Sequence, residues 1–213
     1  MDSVKQGWIE GRMKGAVEKL KAHDFAATCV KTKEEAVKEI WRHVTPEMKV
    51  GVGGSMTIRE IGILDQLRGK GHLVYDHWAP GLSREESLLL RKFQMSSDLF
   101  LSSSNAVTMN GELVNIDGAG NRVNSITFGP EKVVLVAGFN KLVEDIQEAI
   151  KRIKNVVTPM NARRLNIEVP CAKLGHCVDC NSPDRLCRAV VILERKPLLT
   201  DVLVILVGEE LGY

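Results

Sequence analysis

The stretch KVGVGGSMTIREIGILDQL, residues 49–67, decides the fold. Lys49–Val52 reads as a short β-branched strand, Gly53-Gly54-Ser55 as a tight turn, and Thr57–Leu67 as a helix. A strand passing through a glycine turn directly into a helix is one half of a βαβ unit.

The same grammar extends in both directions. Upstream, residues 3–22 place Ile9, Met13, Ala16, Val17 and Leu20 at helical spacing. Phe25–Lys31 reads as a strand, and Thr32 with Glu35 opens a helix whose Ala36, Val37, Ile40, Trp41 and Val44 form the apolar stripe. Downstream, His72–Tyr75 is a strand, Ser83 and Glu86 cap a helix reaching Ser96, and Leu99–Ser102 is again a strand. Ala106–Met109 and Glu112–Ile116 then flank Asn110-Gly111, a hairpin signal in which both turn positions favour positive φ. Lys132–Ala137 is an apolar strand, and Asn140–Lys154 a helix with Leu142, Ile146, Ile150 and Ile153 inward. The expected class is α/β: a mostly parallel sheet flanked by helices, with an inserted β-hairpin. Residues 1–160 form the α/β ligand-binding domain, and 161–213 a cysteine-bearing extension packed on the same domain.

Composition agrees with a globular chain. The 213 residues are 44% hydrophobic and 26% charged, which excludes extensive disorder. A net charge of +2 is too balanced for a protein that wraps nucleic acid. The longest apolar run, Leu198–Val207, is interrupted by Asp201 and too short to span a membrane. The first twenty residues carry charge throughout and lack a signal core, so the expected location is the cytoplasm.

Two readings attach to Gly53, Gly54, Ser55 and Thr57. Glycines let backbone approach a ligand, and the amides and hydroxyls of such a turn suit a phosphate or carboxylate. The alternative is a plain tight connection, with Thr57 and Glu60 as a capping box. Glu60 is then either a cap or, if buried, a general base. Neither a P-loop nor a dinucleotide fingerprint is present, so no nucleotide cofactor is expected. A second cluster, Asn105, Asn110, Asn115, Asp117, Asn121, Arg122 and Asn124, mixes turn chemistry with possible ligand contacts. Asn105, Asn121 and Arg122 are candidate ligand-binding residues, with Arg122 supplying a cationic fork, and Asp117 a candidate acid or base.

GVGGSMTIREIG, SSNAVTMNGELVNIDGAGNRV, ITFGPEKVVLVAGFNKLVED and NARRLN together resemble the LUD-domain, or lactate-utilisation, family over essentially the whole chain. The resemblance implies the architecture shared by ribose-5-phosphate isomerase, glucosamine-6-phosphate deaminase and the CoA transferases. It also implies a role in oxidising L-lactate beside iron–sulfur oxidoreductase subunits, and a small anionic substrate. Sugar-phosphate isomerases of that fold carry Gly-Ala-Asp before an Asn-Gly hairpin. Here Asn105 stands in place of the aspartate, and an amide cannot act as a carboxylate base, which disfavours aldose–ketose isomerisation.

Four of five cysteines, Cys171, Cys177, Cys180 and Cys187, form a Cys-x5-Cys-x2-Cys-x6-Cys segment. In a reducing compartment such clustering points to metal or redox chemistry. Seven Lys and Arg against four Asp and Glu between 161 and 196 would offset four thiolates. The spacing matches neither paired zinc knuckles nor a ferredoxin run. The resemblance tilts the expectation toward an iron–sulfur cluster, with zinc the alternative and disulfide or free thiols remaining. Cys29 reads as strand packing, His72, His77 and His176 as structural or exposed, and Trp78 as either pocket or packing. Arg163 and Arg164 are adjacent, so only one can face a given ligand. Three functions stay open: lactate or organic-acid utilisation linked to electron transfer, a zinc-stabilised non-catalytic subunit or scaffold, and an enzyme on a sugar phosphate or CoA ester. Self-association stays open as well.

Overall fold

The computed structural model describes residues 2–213. In chain order the strands are β1 (Ala26–Val30), β2 (Val50–Val52), β3 (Val74–Asp76), β4 (Leu99–Ser102) and β5 (Ala106–Thr108). They continue with β6 (Leu113–Asp117), β7 (Lys132–Gly138), β8 (Leu142–Val143), β9 (Ala189–Leu193) and β10 (Asp201–Val207). The helices are α1 (Ser3–Ala22), α2 (Lys33–Trp41), α3 (Met56–Glu60), α4 (Ile63–Gly69) and α5 (Arg84–Gln94). After them come α6 (Asn121–Thr127), α7 (Ile146–Arg152), α8 (Thr158–Arg164) and α9 (Pro170–Leu174).

Six strands form one parallel sheet in the order β1-β10-β7-β4-β2-β3. A second sheet of four, β8-β5-β6-β9, carries the hairpin β5–β6. The main sheet crosses the expected boundary at residue 160, since β10 lies between β1 and β7 and pairs with both. Residues 161–213 therefore complete the domain.

The main sheet is apolar on both faces, as a covered parallel sheet must be. One face buries Val50, Leu99, Val134 and Ile205 against Ala36 and Ile40 of α2 and Ile58, Ile63 and Leu67 of α3–α4. The other buries Phe100, Val133, Leu135 and Val204 against Ile9, Met13 and Leu20 of α1, where Val107 and Leu113 of the second sheet also pack. A third core joins Ala106, Val114 and Ile116 to Ala149, Ile153 and Val157. The α1 stripe is the one expected from its spacing. The Ser83–Glu86 capping box also forms, with both reciprocal hydrogen bonds present.

Three local expectations are corrected. The helix expected over 57–67 breaks at Gly62, whose φ of +71° separates α3 from α4. Its cap is Ser55, whose hydroxyl accepts from Ile58 N–H, rather than Thr57. The helix expected from Asn140 begins only at Ile146, capped by Asp145, because Leu142–Val143 pair with β5. In the hairpin only Gly111 takes positive φ, at +97°. Thr108 accepts from Gly111 N–H and donates to Glu112 C=O, giving a three-residue loop instead of a two-residue turn. A side chain at Gly111 would strike the Lys19 backbone, 2.7 Å away, so glycine also permits α1 to pass.

Candidate functional site

A cavity of about 230 Å³ opens beyond the carboxyl ends of the main-sheet strands, where open α/β sheets bind ligands. It holds about seven or eight waters' worth of liquid at ~30 Å³ each, the scale of a small metabolite. Residues after β2, β3, β4, β6 and β7 converge on it, with Tyr213 following β10. The opposite wall comes from Ile153, Val157 and Asn161, where a π-helical turn over Ile153–Val157 joins α7 to α8.

Lys141 sits on the cavity floor and is only 4% exposed. Its ammonium donates to Thr57 Oγ1 at 2.8 Å and to Ser103 Oγ at 2.9 Å. Thr57 in turn donates to Leu211 C=O, and Ser103 to Ser104 C=O. Burial, followed by the charges of Arg152 and Arg122, pulls the Lys141 pKa down to about 7, with Glu60 opposing. Sequence reasoning missed this lysine. It lies in a segment read as the first turn of a helix and inside one of the blocks that carry the family resemblance, but no catalytic motif singles it out.

Arg122 is the best-connected side chain of the site. Nη1 donates to Ser103 C=O and Asn115 Oδ1, and Nη2 to Asn105 Oδ1 and Ile116 C=O. Its Nε faces Asp117 Oδ2 at 3.7 Å. The fork expected to grip a ligand is thus spent on tying the ends of β4 and β6 together. Arg122 brings positive charge to the cavity, while its hydrogen bonds hold the scaffold. Asn105 is likewise committed, accepting from Ile116 N–H and Arg122.

Gly53 explains itself here: a side chain would strike Ser102 Oγ at 2.6 Å and the Arg122 stem at 3.1 Å. At Gly54 it would overlap the Trp78 ring, which roofs the turn and lines the cavity. Two guanidiniums pack on that indole, Arg164 at 4.1 Å and Arg59 at 5.0 Å from the ring centroid. Arg163 instead donates to Ala172 C=O, so the two adjacent arginines do diverge. Arg59 is braced by Asp76, which also accepts from Arg68 and from Trp78 N–H. Burial alone would raise the Asp76 pKa, but these donors hold it below the ordinary aspartate value.

His77 also lines the cavity. Gln94 Nε2 donates to Val52 and Tyr75 carbonyls and lies 2.8 Å from His77 Nδ1. Two amide hydrogens face three acceptors, the two carbonyls and the ring nitrogen, so this cluster packs the imidazole tightly without assigning its tautomer. Burial and the Arg91 charge pull the His77 pKa down to about 4, so the ring is neutral at physiological pH. Asn121 and Asp117 line the cavity too, and Asp117 Oδ2 accepts from Val123 N–H. Glu60 does not line it. It is exposed on α3, and its carboxylate accepts from Gly212 N–H at 2.7 Å.

The cysteine-bearing segment borders this site through Leu186 instead of lying apart from it. Leu186 forms part of the cavity wall and touches Gly118, while Cys187 packs on the core around Ile116. Cys171 is buried on α9, and its thiol pKa is raised first by burial and then by Cys180, Cys187 and Cys177. Arg185 donates to the carbonyls of Cys180 and Cys187 and to Asp179. Cys177 Sγ accepts from Asp179 N–H at 3.3 Å. Among the described residues, however, no three His, Cys, Asp or Glu side chains converge as a ligand set.

The family model of the LUD domain matches residues 13–207, spanning both sheets and the cysteine segment. The chain belongs to the LUD-domain family. No curated protein matches this LUD-domain chain. Among solved structures, a DUF162 family protein from Deinococcus radiodurans aligns over 95% of this chain and 98% of its own, with a TM-score of 0.52 at 14% identity. At that identity the likeness concerns the fold alone, and the α/β architecture is common to both. Among the described residues, no helix is long and apolar enough to cross a membrane.

Proposed function

We propose that this LUD-domain protein binds a small carboxylate of the hydroxy-acid and oxo-acid class, lactate and pyruvate being its simplest members. The observation that carries the reading is Lys141, a buried cation whose two partners are hydroxyls and not carboxylates. Arg91 and Arg122 add charge to the same cavity, against one lining carboxylate, Asp117. A buried excess of positive charge is costly unless an anion completes it. The cavity volume suits a small acid better than a CoA ester, which supports this reading over the CoA-ester form of the third sequence-based alternative. His77 adds a neutral imidazole to the cavity wall.

Thermal-shift and calorimetric titration with L-lactate, pyruvate, ribose 5-phosphate and a CoA ester tests it. Stabilisation by the small acids, weakened tenfold or more in Lys141→Met, is expected, since a charged hydrogen bond contributes about 1.5–3 kcal/mol. Stabilisation by the phosphorylated compounds alone would overturn it. Electron transfer through Cys171, Cys177, Cys180 and Cys187 is a separate part of the proposal. Anaerobically purified protein should then be brown and lose colour in Cys177→Ser. A colourless protein with one zinc per chain would support the scaffold reading instead.

A further inference from the structure

We propose that Lys141 is a nucleophile, forming an imine with the carbonyl carbon of a small 2-oxo acid held in the cavity. The inference rests on the small-acid reading above and deepens it. The geometry of two hydroxyls carries it. Thr57 Oγ1 gives its proton to Leu211 C=O and Ser103 Oγ gives its proton to Ser104 C=O. Both hydroxyl hydrogens being committed, both oxygens can only accept from Lys141, at 2.8 and 2.9 Å. Two N–H bonds of the amine are therefore fixed toward the protein.

A neutral amine has two N–H bonds and one lone pair. With both N–H bonds held by Thr57 and Ser103, the lone pair is the tetrahedral position left over, on a side chain that lines the cavity. An amine oriented in this way needs no rearrangement before attack. Burial and the neighbouring Arg152 and Arg122 guanidiniums favour that neutral form, against Glu60. The backbone reinforces the position. Gly212, at φ +60°, passes so closely that a side chain there would meet Thr57 Oγ1 at 2.6 Å and Lys141 Nζ at 3.3 Å. The amine is held from that side by chain that carries no side chain. Arg91 Nε, buried without a partner, belongs to a guanidinium on the same cavity that suits the acid's carboxylate.

The chemistry balances without an oxidant. The amine lone pair forms the N–C bond while the carbonyl π pair moves to oxygen, which takes the proton shed by nitrogen. The resulting hydroxyl departs as water with one proton from solvent, leaving a protonated imine. Positive charge remains on nitrogen beside the substrate carboxylate.

The experiment combines trapping with binding on the full chain. Pyruvate with cyanoborohydride, followed by intact and peptide mass spectrometry, should add one pyruvic acid less one oxygen atom, on Lys141. Lys141→Arg, which keeps a cation, and Lys141→Met should give no adduct. Their melting curves and circular dichroism report whether they fold. L-Lactate, which has no carbonyl, should stabilise the wild type without any adduct. Stabilisation by lactate and pyruvate with no adduct, or with the adduct on another lysine, would overturn the nucleophile and leave the small-acid reading intact. Failure of every small acid to stabilise the protein would overturn both.

Discussion

Replacing Lys141 with methionine removes a cation that the fold buries, and its effect should depend steeply on pH. The lysine pKa falls from 10.5 to about 7 in the folded protein. Between those values the unfolded chain binds a proton that the folded chain does not, so stability rises with pH across the window. It is flat below about 7 and again above 10.5. Each unit within the window is worth ~1.4 kcal/mol and half that at its lower edge, so raising pH from 7 to 9 should gain the wild type about 2 kcal/mol from this group. For a domain of this size that corresponds to a melting shift of about 4–8 °C. Methionine has similar length, fills the space and carries no titration. Urea unfolding of both proteins at pH 6, 7, 8 and 9 cancels the contributions of all other groups in the difference. The variant should gain most relative to wild type at pH 6–7, and that advantage should shrink by ~2–3 kcal/mol at pH 9. Parallel stability curves would show that Lys141 is not a shifted amine, and the proposal that it acts as a neutral nucleophile would lose its support.

Three further outcomes follow from contacts elsewhere in the site. Gly54→Ala should push Trp78 off the turn, lowering the melting temperature and weakening small-acid binding at least severalfold; unchanged titrations would show that the ring does not shape the cavity. Asp76→Asn removes the carboxylate shared by Arg59 and Arg68 and should cost about 2–3 kcal/mol in urea unfolding, less than a fully buried pair because Arg68 remains 43% exposed. Because the Asp76 pKa is depressed, its contribution is present above the ordinary aspartate pKa and vanishes as pH falls below it, so wild type and variant should converge in acid. Glu60→Gln should weaken small-acid affinity by less than tenfold, since Glu60 meets Gly212 outside the cavity and reaches Lys141 only through its charge; a larger loss would restore Glu60 as a participant.

Much of the scaffold was legible because local rules act within a few residues. The α1 stripe, the Ser83–Glu86 box and the apolar strand at 132–138 follow from spacing and capping alone. Where those rules failed, tertiary contacts had overruled them. Leu142–Val143 have helical spacing but pair with β5, and Thr57 resembles a cap but donates to Leu211. Gly53, Gly54 and Arg122 were visible as candidates, although Arg122 braces strands and does not present a free fork.

The sequence alone determined the alternation of strands and helices, the membership in the LUD-domain family and the clustering of four cysteines. Only the tertiary structure decided that β10 completes the main sheet, that the cysteine segment borders the cavity, and that Lys141 lies at its floor between Thr57 and Ser103. Helical periodicity and capping are written in neighbouring residues. The ionisation and orientation of a buried amine depend on burial, on charges and on hydroxyls 38 and 84 positions away in the chain, which come together only when the sheet closes.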